Sequence, residues 1–507
     1  MVGSIMTSAQ GKKTSVEVND KVVAPSTPID VDDVAIGSQE SFQDHRYLRA
    51  SKWTVFYRSV LFQMILFGWL SLVGPAMMDA ISNLGGGGLS SPWLANLANC
   101  LNYLMSFFCT LFGGPLINKF GIKWSCMIAA VSFPLYGSAY YVNARQHIDW
   151  YLLLANLIIG ITTGFLYVGE TTAMLSYPKA EDRGFYLGIW AAMRNSGSVI
   201  GGAINFSNNY EKASAGGIAW STYLIFVGFE CTGPLWAFLL SPTPKVRRRD
   251  GSKVPSSDAI TWKEELKALW EYLREPKTWL IFIPSFYSFF YGGAMGTYLS
   301  LHFSVRARAL SSLLVPSIVI PSVLAFGKLL DSQWLPQRRR ALVALALWAI
   351  PQGACFIWIG IMYSRTQLNA GLDYEQYVLH NQSTFASPEP DRHRDTAMWA
   401  KAYVPYLVIF VTGYWCQLTL YWILGTFATD VKVSSRSGGV FRAFETAGQA
   451  VSYGLSSASG IQPQIAFYVN CALFVLVLPS ISYLIREVPK HSNGEANRGG
   501  YETENDG

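Results

Sequence analysis

Long apolar stretches alternate with short polar ones along most of the chain, and this pattern predicts an all-α integral membrane protein. Each apolar stretch is long enough to cross a hydrocarbon core of about 30 Å at about 1.5 Å per residue. The predicted segments are 57–78, 94–116, 122–143, 150–175, 184–206, 217–240, 278–302, 309–327, 340–363, 402–426, 438–460 and 463–486. We therefore expect twelve transmembrane helices.

A polar segment in the middle of the chain divides the predicted helices into two bundles of six. Within it, Trp262, Leu266, Leu269, Trp270 and Leu273 share one face of an amphipathic helix, which we expect at the inner membrane surface. The predicted regions are a disordered cytosolic tail over 1–55, the first bundle over 56–240, a cytosolic linker over 241–277, the second bundle over 278–487 with a long outer loop over 364–401, and a disordered cytosolic tail over 488–507.

The composition supports a membrane protein. Only 14% of the 507 residues are charged, whereas soluble proteins average about 25%. This excludes a soluble enzyme, a nucleic-acid-binding protein and a secreted domain held by disulfides. The seven cysteines fall in apolar stretches, and the six histidines lack metal-ligand spacing. We expect no enzymatic activity, no cofactor, no metal ion and no nucleic-acid partner.

The distribution of basic residues predicts the orientation. Most of the 39 Lys and Arg residues fall in loops that are cytosolic when both termini lie inside the cell. In this orientation two glycosylation sequons, at Asn381 and Asn205, lie outside, and we predict them as acceptors. The alternative is chance occurrence of the sequon, which applies most to Asn205 because it lies close to the bilayer. No endomembrane sorting signal is evident, so the plasma membrane is the default location and an endomembrane is the alternative.

Two short patterns recur in the two halves of the sequence. Gly114 and Asn118 have counterparts in Gly327 and Asp331, and Arg194-Asn-Ser-Gly197 has a counterpart in Glu445-Thr-Ala-Gly448. Such recurrence predicts two parallel six-helix repeats, an arrangement of transporters that bind substrate between the repeats.

The first of these patterns resembles the loop 2–3 motif of the major facilitator superfamily. In that motif, glycine permits a close helix approach, and the polar residues form a cytosolic latch on one gate state. Asn118 stands where the family usually has Asp, which weakens a charge relay at this position. The resemblance implies gating roles for Gly114, Asn118, Lys119, Gly121, Lys123, Gly327 and Asp331.

Further stretches narrow the resemblance. Gly74-Pro-Ala-Met-Met-Asp, Ala173-Met-Leu-Ser-Tyr-Pro178, Arg183-Gly-Phe-Tyr-Leu-Gly-Ile-Trp190 and Leu239-Leu-Ser-Pro-Thr-Pro-Lys245 together are similar to the fungal branch of the uncoordinated-ninety-three-like proteins. This resemblance covers about 55–485 and implies a twelve-helix facilitator fold. It implies no defined substrate, because family members include predicted transporters and proteins that regulate channels or receptor trafficking.

Two charged residues fall inside predicted membrane segments. Glu170 and Arg194 lie about 12 and 15 Å from the loop that joins their helices. Each charge costs roughly 2.5–3.5 kcal/mol near the bilayer centre, so each needs a partner or water. They form either a proton- or substrate-coupled site or an ion pair that clamps the two helices. In facilitators the fourth helix lines the cavity, which favours a functional role for Glu170.

Other polar residues could line a substrate cavity, with ordinary helix packing as the alternative. The candidates are Gln63, Tyr167, Tyr287, Tyr291, Tyr414 and Gln417. Glu445, with Arg442, is expected near the inner end of its helix as a cap or latch. Gly85–Gly88 is expected to be a flexible hinge at the outer mouth.

Two functions remain open from the sequence. The first is a secondary transporter that moves a small organic solute by alternating access, with proton coupling through Glu170. The second is a non-transporting subunit that regulates or traffics another membrane protein. The expected partners are the lipid bilayer and a small-molecule substrate in the first case, and a membrane protein in the second.

Overall fold

The described part of the chain is built from helices. The computed structural model describes residues 51–178, 183–212, 214–254, 262–332, 334–365, 371–374, 392–427, 431–458 and 460–488. Within these ranges the only extended pairings are isolated bridges. The α-helices are α1 (Lys52–Tyr57), α2 (Val60–Val73), α3 (Pro75–Ser82), α4 (Pro92–Leu111), α5 (Gly113–Gln146), α6 (Asp149–Ser176), α7 (Arg183–Asn209), α8 (Trp220–Glu230), α9 (Gly233–Leu239), α10 (Trp262–Arg274), α11 (Pro276–Ser288), α12 (Tyr291–His302), α13 (Val305–Asp331), α14 (Gln337–Arg365), α15 (Arg392–Phe427), α16 (Val431–Leu455) and α17 (Gln464–Glu487).

The all-α prediction is confirmed. Helix occurs at each predicted apolar segment, and α10 covers the predicted amphipathic helix. Eight helical stretches of the described chain are long and apolar enough to span a membrane. They are Val60–Ser82, Pro92–Leu111, Asp149–Met174, Trp220–Leu239, Val305–Leu330, Gln337–Ser364, Ala397–Leu424 and Gln464–Glu487. Twelve spans and the orientation stay predictions.

The first predicted segment is broken in the middle. α2 ends at Val73, and α3 restarts at Pro75, whose missing N–H is no loss at a helix start. A Cβ on Gly74 would lie 2.4 Å from Phe133 Cε2, so the close packing of the break requires glycine. Because the helix continues past the break to Ser82, Asp79 lies within a helix and not in a loop.

Two hydrophobic cores correspond to two sets of helices. Leu70, Phe133 and Tyr223 belong to a core formed mainly by α2–α9. Trp348 and Phe474 belong to a core of α11–α17. We call α1–α9 the first half and α11–α17 the second half.

The recurring Gly197 and Gly448 have the same role in the two halves. A Cβ on Gly197 of α7 would lie 2.8 Å from Leu72 Cγ, so α7 packs closely on α2. A Cβ on Gly448 of α16 would lie 1.8 Å from the Phe286 carbonyl oxygen, so α16 packs closely on α11. The small residues permit equivalent helix contacts in both halves, which supports the predicted internal repeat.

Arg308 of α13 joins the two halves at one end of the molecule. Its buried guanidinium donates hydrogen bonds to the carbonyls of Leu84 and Gly85, each at 2.8 Å. It also donates to the carbonyls of Leu89 at 3.2 Å and Gly216 at 2.8 Å. We call this set of contacts the Arg308 seal. Lys123 lies at the opposite end of the molecule, because α4 runs from the seal toward α5.

The glycines at the seal form a packed corner, and the prediction of a flexible hinge is wrong for this conformation. Gly85–Gly88 are buried, and all four have φ between +51° and +77°. A Cβ on Gly87 would lie 2.1 Å from Tyr140 Cε1. Glycine is required here both for the left-handed backbone and for the space.

Asn205 also belongs to this packed end. Its Nδ2 donates to the Ala80 carbonyl at 2.8 Å and to Ser312 Oγ at 2.7 Å, and the residue is fully buried. A glycan has no room on this side chain, so the structure contradicts the prediction of Asn205 as a glycosylation acceptor. Asn381 lies outside the described residues.

Candidate functional site

An ion pair lies in the interior of the first half. Arg194, near the middle of α7, donates through Nη2 to Asp79 Oδ2 at 3.0 Å. The Arg194 and Asp79 side chains are 21% and 40% exposed. Asp79 is close enough to Arg442 and Tyr453 of the second half to interact with them electrostatically. The exposed part of the pair therefore faces the space between the halves, which we call the cleft.

A second ion pair lies in the second half. Arg442 donates through Nη1 to Glu445 Oε1, and Gln417 Nε2 donates to Glu445 Oε2 at 2.9 Å. Glu445 is fully buried, whereas 23% of the Arg442 side chain is exposed. Because α16 begins at Val431 and not at 438, this pair lies near the middle of the helix. The predicted position near the inner helix end is therefore wrong.

Arg442 connects the two halves. Its guanidinium carbon lies 4.8 Å from the centre of the Tyr167 ring, a cation–π contact between α16 and α6. It is also close enough to Arg194 to repel it electrostatically. The two ion pairs, one from each half, thus face the same cleft.

Glu170 lies beside the cleft, buried beneath Ser71. The Ser71 hydroxyl donates to Glu170 Oε1 at 2.7 Å, and Trp190 Nε1 donates to Ser71 Oγ at 3.0 Å. Glu170 interacts electrostatically with Arg194, so the two residues are near each other as expected. The ion-pair partner of Arg194 is nevertheless Asp79, and the pair joins α7 to α3, not to α6.

Several tyrosines surround the cleft. Tyr103 of α4 stacks on Tyr453 of α16, with ring centres 5.4 Å apart across the boundary between the halves. Tyr414 packs edge-on against Phe289 and interacts electrostatically with both ion pairs. Tyr291 is buried, and its ring packs closely on Gly413. A Cβ on Gly413 would lie 2.2 Å from the Tyr291 ring.

Two predicted cavity residues have structural roles instead. Gln63 is fully buried, and its side chain donates to the Tyr57 carbonyl at 2.7 Å and accepts from the Ser241 N–H at 2.8 Å. It thus links the start of α2 to the chain after α9. Tyr287 accepts from Gln352 Nε2 at 2.7 Å within the core of the second half.

The structure describes the surroundings of only some of the predicted gating residues. Gly121 has φ 75°, which interrupts α5, and Lys123 donates to the Phe238 carbonyl at 2.8 Å. Lys123 thereby fastens α5 to the end of α9, within the first half. Gly327 packs near Leu418. For Gly114, Asn118, Lys119 and Asp331 the structure describes only the helical backbone.

Asp79, Tyr103 and Tyr453 were not predicted from the sequence. The first predicted segment ended at 78, one residue before Asp79. The available signal was the unpaired charge of Arg194, which needed an acidic partner at membrane depth. Among the described residues, no cluster of His, Cys, Asp and Glu could hold a metal ion.

Comparison with known proteins identifies the family. The model of the Major Facilitator Superfamily matches residues 59–372. The chain belongs to this superfamily. Among relatives of this facilitator, the Notoamide biosynthesis cluster protein O' of Aspergillus versicolor is 32% identical over 85% of the chain and 90% of that protein. UNC93-like protein 1 of Arabidopsis thaliana is 26% identical over 88% of the chain and 94% of that protein. The predicted resemblance is therefore confirmed.

Solved structures agree on the fold of this facilitator. A D-xylose-proton symporter superposes with a TM-score of 0.54 and 13% identity, covering 87% of this chain and 99% of that one. A POT family transporter in complex with 5-aminolevulinic acid gives a TM-score of 0.55 and 11% identity, covering 85% and 96%. The chain therefore has the fold of membrane transporters, which implies a lipid environment.

Proposed function

We propose that the chain is a secondary transporter that moves a small organic solute across a membrane by alternating access. The observation that carries this proposal is the position of the ion pairs Asp79–Arg194 and Arg442–Glu445, one in each half, on the same cleft. Charges at membrane depth are expensive, and they usually mark substrate or ion pathways. Twelve spans with both termini in the cytosol complete the proposed architecture.

The Arg308 seal supports alternating access. The seal closes one end of the boundary between the halves with buried hydrogen bonds. Asp79 and Arg194 are nevertheless partly exposed, and we propose that solvent reaches them from the end that carries Lys123, which the seal leaves open. In the proposed orientation that end is cytosolic, and this conformation faces inward. Rocking of the halves about the cleft would open the seal and close the opposite end.

Proton coupling is proposed at Asp79, with Glu170 as a second acid that also interacts with Arg194. A proton on Asp79 removes the negative charge that holds Arg194, and it thereby frees the guanidinium for substrate. The charged and titratable groups around Asp79 are Arg194, Arg442, Tyr103, Tyr414 and Tyr453. The name of the D-xylose-proton symporter describes coupling of this kind for that protein.

The name of one relative suggests the chemical class of the solute. The name of the Aspergillus versicolor protein places it in a notoamide biosynthesis cluster. We propose an organic metabolite as the solute of this chain. The exposed tyrosine and arginine surface of the cleft suits such a molecule.

Metabolite profiling tests the proposal. Small molecules inside and outside cells are compared with the gene deleted, restored, and restored as Asp79→Asn. We expect one compound to change its distribution on restoration, and the Asp79→Asn variant to behave like the deletion. Glu230→Gln is the control, because Glu230 is a fully buried acid that accepts from the Gly137 N–H outside the cleft.

Two results would contradict parts of this proposal. If equally expressed strains show no difference and a membrane protein co-purifies with the chain, the non-transporting alternative replaces it. If Asp79→Asn combined with Arg194→Gln transports normally, the pair is only a structural clamp.

A further inference from the structure

We infer that the cleft selects organic anions, and that Arg442 with the Tyr167 ring beneath it receives the carboxylate or similar oxyanion of an aromatic solute. This inference rests on the proposed transport function and adds the substrate class. It follows from the exposed charge of the cleft, the free donors of Arg442 and the aromatic surface around it.

The surface of the cleft carries two guanidinium groups and one carboxylate, with the Asp79 side chain 40% exposed and the Arg194 and Arg442 side chains 21% and 23% exposed. Asp79 is the exposed acid, whereas Glu445 and Glu170 are buried. The cleft therefore presents two cations and one anion to a solute, although the residues as a set contain more acids.

Arg442 has donors to spare. A guanidinium has five N–H donors in a planar fork. Nη1 of Arg442 donates to Glu445, and a second contact goes to the Tyr421 side chain. The remaining N–H groups belong to a side chain that is 23% exposed, so a solute in the cleft can reach them. Such a fork can bind a carboxylate with two parallel hydrogen bonds.

A cation is disfavoured in the same place. Asp79 is the group that would attract it, but Asp79 Oδ2 already accepts from Arg194. Arg442 acts on Asp79 as well, so a positive solute approaching Asp79 meets two guanidinium groups. Repulsion between like charges is strong where water is scarce.

The surroundings favour an aromatic solute. Tyr167 lies under Arg442, and the stacked pair Tyr103 and Tyr453 borders the cleft on the seal side of the two ion pairs. Tyr414 adds a further partly exposed ring. Aromatic rings stack on one another and on guanidinium planes, so a planar anion gains contacts beyond its charge.

The test uses three probes with one skeleton and different charges: phenylacetate, phenylacetamide and phenethylamine. The full chain is purified in lipid nanodiscs, and its thermal unfolding is measured with each probe at equal concentration. A ligand that binds the folded protein raises the unfolding temperature. We expect phenylacetate to raise it, and the neutral and cationic probes to leave it unchanged.

The variants identify the binding residue. Arg442→Gln is expected to weaken phenylacetate binding by about tenfold to a hundredfold, because charge-assisted hydrogen bonds are lost. Since that variant leaves Glu445 buried without its cation, Arg442→Gln with Glu445→Gln serves as the second variant. Arg145→Gln is the matched control: Arg145 also lies 4.8 Å from an aromatic ring, that of Trp220, but outside the cleft.

Each outcome decides one of two questions. A response to phenethylamine, an equal response to all three probes, or no response to phenylacetate overturns the anion inference. Selective phenylacetate binding without flux into proteoliposomes refutes transport and leaves the inference standing. Flux of a neutral or cationic metabolite that the double variant does not change refutes the inference and leaves transport standing.

Discussion

Arg442 and Tyr167 meet across the boundary between the two halves, with the guanidinium carbon 4.8 Å from the ring centre. Arg442 belongs to α16 and Tyr167 to α6, so the proposed rocking of the halves would change this distance directly. Under that proposal the contact would report the conformational state, and it would stabilise the state in which it forms.

Replacement of Tyr167 tests this contact. Tyr167→Phe retains the ring, and we expect stability and transport close to those of the original protein. Tyr167→Leu removes the cation–π attraction, which contributes about 0.5–2 kcal/mol, and we expect a lower unfolding temperature. Equal unfolding temperatures for the two variants would mean that the cation–π contact with the Tyr167 ring does not contribute to stability.

Replacement of Glu170 separates chemistry from folding. Glu170→Gln keeps an oxygen that accepts from the Ser71 hydroxyl, so the buried hydrogen bond survives. We expect the variant to fold and reach its membrane but to lose transport, because the titratable group is gone. Metabolite profiling with localisation of the tagged protein measures both properties. Normal transport by the correctly localised variant would exclude a coupling role for Glu170.

Loss of Arg308 is expected to open the seal. Hydrogen bonds to charged groups each contribute about 1.5–3 kcal/mol, and Arg308→Ala removes four to main-chain carbonyls. A cysteine placed at the buried position Leu84 should then react with a membrane-impermeant maleimide. Arg308→Lys retains the charge with fewer donors and should give intermediate labelling. Unchanged labelling in Arg308→Ala would contradict the sealing role.

Gly448 is expected to tolerate no side chain. Gly448→Ala places a Cβ against the Phe286 carbonyl oxygen and forces α16 away from α11. Overpacking of this kind costs about 1–3 kcal/mol, which a fall in the unfolding temperature would reveal. Gly228→Ala is the control, since a Cβ there meets nothing within 4 Å. If the control is equally destabilised, the effect belongs to helical glycines in general.

The two sequons are expected to differ. Treatment with an endoglycosidase should increase the electrophoretic mobility of the original protein and of Asn205→Gln, but not of Asn381→Gln. The reason is that Asn205 is buried in the described structure, whereas Asn381 falls in the predicted outer loop. Unchanged mobility of the original protein after treatment would contradict glycosylation at Asn381.

The sequence predicted the helices well, because the length of an apolar stretch is a local property. It predicted helix ends less well where polar residues continue a helix. Polar residues fill the first turns of α16, so the pattern placed its start at 438 and not at Val431. The end of α3 was likewise placed before Asp79, although the helix continues to Ser82.

The site required tertiary information. Glu170 and Arg194 were recognised because charge in an apolar segment is conspicuous in any sequence. The partner of Arg194 depends on which helices are neighbours, and α3 packs on α7. Gln63 and Tyr287 have suitable chemistry for a cavity, but their hydrogen bonds to Ser241 and Gln352 depend on the packing of distant segments.

The Arg308 seal consists of a permanent cation and main-chain carbonyl groups. A guanidinium stays charged throughout the physiological pH range, and a peptide carbonyl does not titrate in that range. No carboxylate takes part in the hydrogen bonds of Arg308 in the described chain. The strength of the seal is therefore insensitive to acidity. In the proposed orientation this end faces the medium, so acidification of the medium would leave it as firmly shut as it is at neutral pH.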